Sequence, residues 1–277
     1  MHCPFRVRWL PLLGLALLAA TLGGKAVAHD YSSYTSWDAM DNATDAKCAT
    51  VTRVSGPAGF TGFWFILDHP PRASVRSYST HFQLDEDPIS EGGKWSNGAK
   101  DGIDWYNVVT KNGVAYGAVS KGAYTDPTAL LTGDWGRNQT VKAKVFGRNQ
   151  TEKYYQEVEI RLRSTLTRQR CTGYEVFWRC LKTQNAYAEI VRWNGKVGDW
   201  TSLQKHTGPQ YGVKDGDAVE ATIVGNVIKG YVNGVEVISA TDDTYHAGSP
   251  GMGFNFGVGE SSVDFGFSYY EVDSYND

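Results

Sequence analysis

Charged and apolar residues alternate along residues 156–164, and this pattern is the most informative in the sequence. The charged positions are Glu157, Glu159, Arg161 and Arg163, and the apolar ones are Val158, Ile160 and Leu162. Because successive side chains of a β-strand point to opposite sides, the pattern predicts a strand with one apolar and one charged face. The charged face either lines a groove for a polar polymer or forms a solvated ladder of cross-strand ion pairs.

A pair of carboxyl groups on one face is the chemistry that glycoside hydrolysis requires. The two groups stand about 5–5.5 Å apart in retaining enzymes and about 6.5–9.5 Å apart in inverting ones. Residues i and i+2 of a strand have Cα atoms about 6.6–6.8 Å apart. Glu157 and Glu159 are therefore candidate catalytic residues, with Arg161 and Arg163 as candidate substrate-binding residues. The arginines also oppose catalysis, because they favour the ionised carboxylates, whereas an acid catalyst has to keep its proton.

A second run of alternating residues follows at Glu175, Phe177 and Arg179. If this run pairs with the first, Glu and Arg face Arg and Glu across two strands. In a groove, Glu175 and Arg179 join the substrate-binding set. In a solvated ladder, each exposed pair stabilises the sheet by only about 0.2–1 kcal/mol.

Aromatic side chains are the second candidate feature, because they stack on sugar rings. Trp105 with Tyr106, and Trp135 before a glycine, are predicted near loops and are candidates for sugar stacking. Trp178 and Trp193 alternate with strand positions, and the core is the favoured location for both.

The sequence predicts no organic cofactor and no transition-metal site, since it contains no CxxC or HxxxH spacing. Asp217, Asp242 and Asp243 could supply oxygen ligands to calcium. Turn stabilisation by these aspartates is the favoured interpretation.

Composition and the N-terminus bound the partners. The 277 residues are 41% hydrophobic with a net charge of -3, which does not suggest nucleic acid or an anionic membrane as partner. Arg6 and Arg8 precede an apolar run, Leu10 to Leu22, and the small-residue site Ala26-Val27-Ala28 follows. This order predicts a signal peptide over residues 1–28 and a secreted protein. The run falls short of the about 20 residues of a spanning helix, so no membrane span is predicted.

Three cysteines remain after this leader: Cys48, Cys171 and Cys180. The segment between the last two is predicted to be extended, which separates its ends by about 27–30 Å and prevents their pairing. Any disulfide is therefore predicted to join Cys48 to one of them, and three free thiols are the alternative.

The rest of the chain divides into an irregular part and a strand-rich part. Residues 29–78 are predicted to be an extension packed on the main domain, residues 79–277. Short strands with turn signals such as Asn112-Gly113 and Asn233-Gly234 recur in the main domain, which favours an antiparallel sandwich or barrel. The predicted strands are Thr80–Leu84, Val108–Lys111, Val114–Val119, Val141–Phe146, Gln156–Ser164, Gly173–Cys180, Ala186–Trp193, Ala218–Val224, Val227–Asn233, Val235–Ser239, Gly251–Gly257 and Val263–Val272.

The main domain resembles the concanavalin A-like lectin/glucanase superfamily, near its laminin-G-like members. The elements that carry the resemblance are Gly173-Tyr174-Glu175-Val176, Glu189-Ile190-Val191-Arg192-Trp193-Asn194-Gly195, Gly216-Asp217-Ala218-Val219, Gly230-Tyr231-Val232-Asn233-Gly234-Val235-Glu236-Val237, Asp243-Thr244, Gly248-Ser249-Pro250-Gly251-Met252-Gly253-Phe254 and Asp264-Phe265-Gly266-Phe267. The resemblance implies an all-β, antiparallel two-sheet jelly-roll sandwich. Lectins, glycoside hydrolases, lyases and adhesion modules share that fold, so it does not choose a function.

The resemblance also provides two catalytic patterns for comparison. Glucanases of the superfamily carry a Glu-x-Asp-x-Glu type strand, and here Glu157 and Glu159 match its first pair while Arg161 stands at the place of the second glutamate. Lyases carry an Arg-x-Glu-x-Arg type strand, and Glu159-Ile160-Arg161 matches half of it.

Three functions follow in order of preference. The first is non-catalytic recognition of an extracellular glycan or polysaccharide. The second is a polysaccharide-cleaving enzyme, a hydrolase or lyase, that uses Glu157 and Glu159. The third is a structural or adhesive surface protein without a sugar ligand.

Overall fold

A computed structural model divides the chain into two compact units, Met1–Ala73 and Ser74–Asp277. In the first unit it describes the backbone of three strands, β1 (Val7–Arg8), β2 (Val51–Ser55) and β3 (Thr61–Phe65), which form an antiparallel sheet in the order β1-β3-β2. In the second unit it describes residues 76–98, 105–118, 126–153, 155–167, 169–257 and 262–276. Apart from those three strands, the predicted signal peptide, the predicted extension up to residue 75 and Cys48 lie outside the described residues.

One sheet of the second unit has seven strands. They are β5 (Trp95–Asn97), β8 (Thr128–Leu131), β10 (Glu157–Thr167), β11 (Arg170–Arg179), β12 (Tyr187–Gly195), β13 (Trp200–Thr207) and β17 (Ser249–Asn255). Their spatial order is β13-β12-β11-β10-β17-β8-β5, and every neighbouring pair is antiparallel. The alternating strand β10 therefore lies in the middle of this sheet.

The other sheet has eight strands. They are β4 (Arg76–Thr80), β6 (Val108–Lys111), β7 (Val114–Gly117), β9 (Asn138–Gly147), β14 (Ala218–Val224), β15 (Val227–Val232), β16 (Val235–Thr241) and β18 (Phe265–Tyr275). Their order is β16-β15-β14-β9-β18-β7-β6, and β4 also pairs with β18. A single 3₁₀ turn, Ser262–Asp264, precedes β18.

The main apolar core contains the inward faces of both sheets. Val158, Ile160 and Leu162 of β10 belong to it, together with Val219 and Ile223 of β14. Burial of such side chains is worth about 1.5–3 kcal/mol each, so the two-sheet packing dominates the stability of this unit. The predicted all-β fold, a sandwich of two antiparallel sheets, is confirmed, and the strand order is consistent with the predicted jelly roll.

The hairpin predictions are also confirmed. Asn112 and Gly113 have φ values of 52° and 76° between β6 and β7, and Asn233 and Gly234 have 51° and 78° between β15 and β16. Positive φ at both central residues is the geometry of the two-residue turn that matches strand twist.

Other strand predictions need correction. The strand predicted at Thr80–Leu84 is wrong, because β4 ends at Thr80 and Phe82 turns out of the extended region with φ 53°. Strands β1 to β3, of which β2 and β3 lie in the part predicted to be irregular, and strands β5, β8 and β13 were not predicted. Strands β5 and β8 are only three and four residues long, and β13 is a polar edge strand without a buried apolar face.

Within the described residues, no helix has the length and apolar character needed to span a membrane.

Candidate functional site

The second face of β10 carries the charged residues, as the alternation predicts. Glu157 lies opposite Arg179 of β11, Glu159 opposite Phe177, and Arg161 opposite Glu175. Of the two alternatives for this face, the solvated ladder is wrong. Glu157 is only 6% exposed and Arg161 is fully buried, so this face is covered and its ion pairs are not surface pairs.

Arg163 does not share that face. The pairing of β10 with both neighbours shifts between residues 161 and 165, and Arg163 has φ 45°, which marks a β-bulge. Its guanidinium donates to the backbone carbonyls of Arg137, Tyr245 and Gly225 at 2.5, 3.0 and 2.7 Å. Arg163 thus holds three loops together, and the expected line of four charges contains only three.

Arg161 is the centre of a buried ion cluster. Its Nη2 lies 2.7 Å from Asp126 Oδ1 and 2.8 Å from Glu159 Oε2, and its Nη1 lies 2.5 Å from Glu175 Oε2. We call Asp126, Glu159, Arg161 and Glu175 the Arg161 cluster. Three carboxyl groups therefore converge on one cation inside the protein.

Two tryptophans enclose this cluster. The Arg161 guanidinium lies 5.3 Å from the ring centre of Trp105 and 5.4 Å from that of Trp193, within cation–π range. The two rings meet edge to face, 4.5 Å apart, and Trp193 Nε1 also donates to Glu175. Both belong to a second apolar cluster with Cys171, Phe177 and Val191.

A glycine on the neighbouring strand makes room for two of these side chains. Gly253 of β17 lies opposite Glu159, and Gly251 lies opposite Arg161. A Cβ atom added to Gly253 would meet the Glu159 carboxylate and the Arg161 guanidinium. Gly253 therefore leaves the space that Glu159 and Arg161 occupy. A Cβ atom on Gly251 would instead meet Ala129 and Leu130 of β8.

Burial controls the protonation of the carboxyl groups. It raises the pKa of Glu175 to about 8, and it raises the pKa of Glu159 and Asp126 from their usual range, although Arg161 opposes each shift. The pKa of Glu157 rises to about 7 for the same reason. Arg161 opposes the upward pKa shift of Glu159, as expected, but desolvation is the larger effect, and Arg163 lies elsewhere.

Glu157 lies at the more accessible end of this face. Tyr187 Oη and Asn255 Nδ2 donate to its two carboxylate oxygens. Arg179 lies 5.2 Å from the ring centre of Tyr155 and 5.8 Å from that of Tyr187, and Lys205 lies 4.2 Å from the latter ring.

We call Tyr155, Glu157, Arg179, Tyr187 and Lys205 the Tyr155 end. Tyr155 is 60% exposed and the Lys205 side chain is 47% exposed. This end can therefore present an aromatic ring and a charged group to a ligand in solvent.

The remaining predicted aromatic residues lie apart from the Arg161 cluster. Trp135 packs against the main core, with Arg76 4.4 Å from its ring centre. Tyr106 is partly buried, and its carbonyl accepts the Thr128 amide. Trp178 lies in the main core, as favoured, whereas Trp193 is buried on the opposite face of the sheet.

Metal-ligand geometry occurs once among the described residues. Oxygens of Asp126, Glu159 and Glu175 lie within 4.8 Å of one another. The Arg161 guanidinium already supplies a cation to all three, so these residues do not fit a metal ion.

The aspartates considered for calcium have local partners instead. Asp217 accepts from the Lys214 amide and Asn233 Nδ2. Asp242 accepts from Tyr174 Oη and Arg192 Nη1.

The two described cysteines are buried free thiols. Cys171 is the second residue of β11 and Cys180 follows its last residue, so the predicted extended segment between them is confirmed. Cys48 lies outside the described residues, and the structure gives the predicted Cys48 disulfide no support.

Sequence reasoning missed several residues of this face, and the signals for them differ. Asp126 is 35 residues from Arg161, and only the order β10-β17-β8 brings it near. Asn255 lies directly opposite Glu157, and Tyr187 alternates with the buried Glu189 on β12. A register built on the predicted strands could have found these two.

Partly or fully exposed residues of opposite charge do face one another elsewhere, on the eight-stranded sheet. Lys142 of β9 lies opposite Glu271 on one side and Glu220 on the other. Lys229 pairs with Glu236 at 2.8 Å, and both side chains are more than one third exposed.

Comparison with known proteins gives likenesses in structure only. No protein-family model matches the sequence, and no curated protein matches it. Three similar solved structures are the carbohydrate-binding module CBM66 from Bacillus subtilis, the Emp46p carbohydrate recognition domain in its potassium-bound form, and a prokaryotic beta-1,3-1,4-glucanase derived from a mouse hindgut metagenome.

The identities to these three are 13%, 12% and 14%. The matches cover 68%, 70% and 72% of this chain and 96%, 95% and 99% of the others, with TM-scores of 0.44, 0.46 and 0.43. The solved structures similar to this chain thus include a carbohydrate-binding module, a carbohydrate recognition domain and a glucanase.

Proposed function

We propose that this protein is a secreted carbohydrate-recognition protein that binds an extracellular glycan or polysaccharide at the Tyr155 end of the seven-stranded sheet. The observation that carries the proposal is the exposed Tyr155 ring, set beside Arg179 and followed by Tyr187 and Lys205. An aromatic face next to a few placed polar groups is the common composition of a ligand site.

The Arg161 cluster supports this site from beneath. Its members are buried and bonded to one another, so a ligand does not need to touch them. In the proposal they fix the strands that carry Glu157, Arg179 and Tyr187. Arg161 and Glu175, expected above to bind substrate, become positioning residues.

One observation favours a polysaccharide-cleaving enzyme as the second candidate. Glu157 has a pKa raised to about 7, which suits a general acid near neutral pH. Its partner Glu159 is 1% exposed and bound to Arg161, so it lacks the access that a nucleophile or base needs. This difference ranks recognition above cleavage.

The test is a glycan array on the secreted protein, together with a product assay on a panel of polysaccharides. The assay measures both new reducing ends and unsaturated uronates. Recognition predicts saturable binding of one glycan class without product. Product that Glu157→Gln abolishes would instead establish the enzyme, and absence of both binding and product would reject both functions.

A further inference from the structure

A depression lies between the end of β4, the loop that follows it, and the turn at Glu91–Lys94 that precedes β5. It has a volume of about 440 Å³ and is lined by Ser79, Thr80, His81, Gln83, Leu84, Glu91 and Lys94. A second depression of about 280 Å³ adjoins it, shares Ser79 and extends along β4 and β18. Volumes of this order are typical of small-ligand sites.

Glu91 is held in place at the base of this depression. Its carboxylate accepts hydrogen bonds from Tyr78 Oη, Thr80 Oγ1 and Trp95 Nε1. Partial burial raises its pKa, mainly through desolvation. The carboxyl group is thus fixed by its neighbours before any ligand arrives.

The backbone at Glu91 is strained. Its φ is 45°, which a residue with a side chain rarely adopts. The Glu86 carboxylate stabilises this turn by accepting the amides of Ser90 and Glu91 at 2.9 and 2.8 Å. Strain of this kind persists where the surroundings enforce it, and it is common at ligand sites.

The lining defines the chemistry of the ligand. It has one acid, Glu91, and one base, Lys94, so it offers no net charge to an ion. Leu84 is its one aliphatic side chain, so it does not suit an apolar ligand. Hydroxyl, amide and imidazole groups complete the wall, and the His81 and Tyr269 rings lie 4.7 Å apart beside it.

We propose that this Glu91 depression is a second ligand site, separate from the Tyr155 end, and that it takes a neutral polyhydroxylated ligand, a sugar residue. Glu91 and Gln83 accept and donate hydrogen bonds to its hydroxyl groups, and Lys94 and His81 line the rim. The site does not depend on the Tyr155 end, because the two share no residue, and strands β17 and β8 separate β10 from β5.

The test uses the Trp95 indole N–H as a reporter, because it donates to Glu91 and also to Tyr78 Oη at 3.0 Å. The full chain, labelled with ¹⁵N-tryptophan and assigned with Trp95→Phe, is titrated with a panel of neutral mono- and disaccharides. A uronic acid and an amino sugar serve as charged comparisons. A neutral sugar is expected to shift the Trp95 resonance saturably.

Variants of the rim locate the binding. Lys94→Ala and His81→Ala, both at exposed positions, are expected to weaken the titration about tenfold, which corresponds to about 1.4 kcal/mol. Lys229→Ala, in the exposed pair four strands away, is the matched control and keeps wild-type affinity. Tyr155→Ala also leaves the Trp95 titration unchanged, which separates this site from the proposed glycan site.

Three results would overturn the proposal. They are a Trp95 resonance that no neutral sugar shifts saturably, a shift that only the charged sugars produce, and rim variants that bind as tightly as the wild type.

Discussion

Replacing Arg161 by methionine tests whether the buried cluster holds the sandwich together. The change keeps much of the side-chain volume but removes the one cation that contacts three carboxyl groups at 2.5 to 2.8 Å. Breaking a buried pair by removing one partner costs about 3–5 kcal/mol, because it leaves uncompensated buried charge. For a domain of this size that loss corresponds to a fall in Tm of about 6 to 20 °C.

The loss also depends on pH, and its sign follows from the pKa shifts. Asp126, Glu159 and Glu175 already have raised pKa values in the folded protein, and removing Arg161 raises them further. A folded pKa above the unfolded value, about 3.9 for Asp and 4.3 for Glu, means that stability falls as pH rises through that interval. The deficit of Arg161→Met is therefore larger at about pH 8 than at about pH 5, where the carboxyl groups take up protons.

The assay is urea unfolding of wild type and variant at both pH values. Lys229→Met is the matched control, because it removes an exposed cation from one carboxylate, and solvent screening should make its cost far smaller than that of Arg161→Met. The reasoning is refuted if Arg161→Met costs no more than this control and shows no dependence on pH.

Three further predictions concern the same face. In the wild type, ionisation of Glu157 should lower the unfolding free energy as pH rises from about 4.3, the pKa of an unfolded glutamate, to about 7, the folded pKa of Glu157. Glu157→Gln should remove this fall, as measured by urea unfolding across that pH range. An unchanged pH profile would contradict the raised pKa. Cys171 and Cys180 should resist a thiol reagent in the folded protein at about pH 8, because burial raises both pKa values, that of Cys171 to about 12; rapid labelling would show that the face opens. Gly253→Ala should destabilise the fold by about 1–3 kcal/mol in urea unfolding, since the added Cβ meets the Glu159 carboxylate and the Arg161 guanidinium; wild-type stability would show that the cluster can shift freely.

Local patterns in the sequence predict the parts of the fold that depend on neighbouring residues. The Asn112-Gly113 and Asn233-Gly234 turns are encoded by residues that tolerate positive φ. The alternation of β10 and β11 predicts the strands and even their pairing, with Glu157 opposite Arg179 and Arg161 opposite Glu175. The jelly-roll sandwich follows from many such strands and turns.

The site depends on features that no local pattern contains. The bulge at Arg163 removes one charge from the predicted face, and alternation alone extends past it. Asp126 reaches Arg161 only through the order of strands in the sheet. The burial of Glu159 depends on side chains such as Trp105, more than 50 residues away in the sequence, and so its raised pKa could not be predicted either.

The location of glycan binding is the most direct test of the central claim. A glycan selected on the array is titrated calorimetrically into the wild type, Tyr155→Ala and the distant control Lys229→Ala. Loss of a stacking aromatic is expected to weaken binding by about 1–1.5 kcal/mol, roughly tenfold, with unfolding free energy unchanged because Tyr155 is largely exposed. Lys229→Ala should bind as the wild type does. Equal affinity of wild type and Tyr155→Ala would contradict recognition at the Tyr155 end.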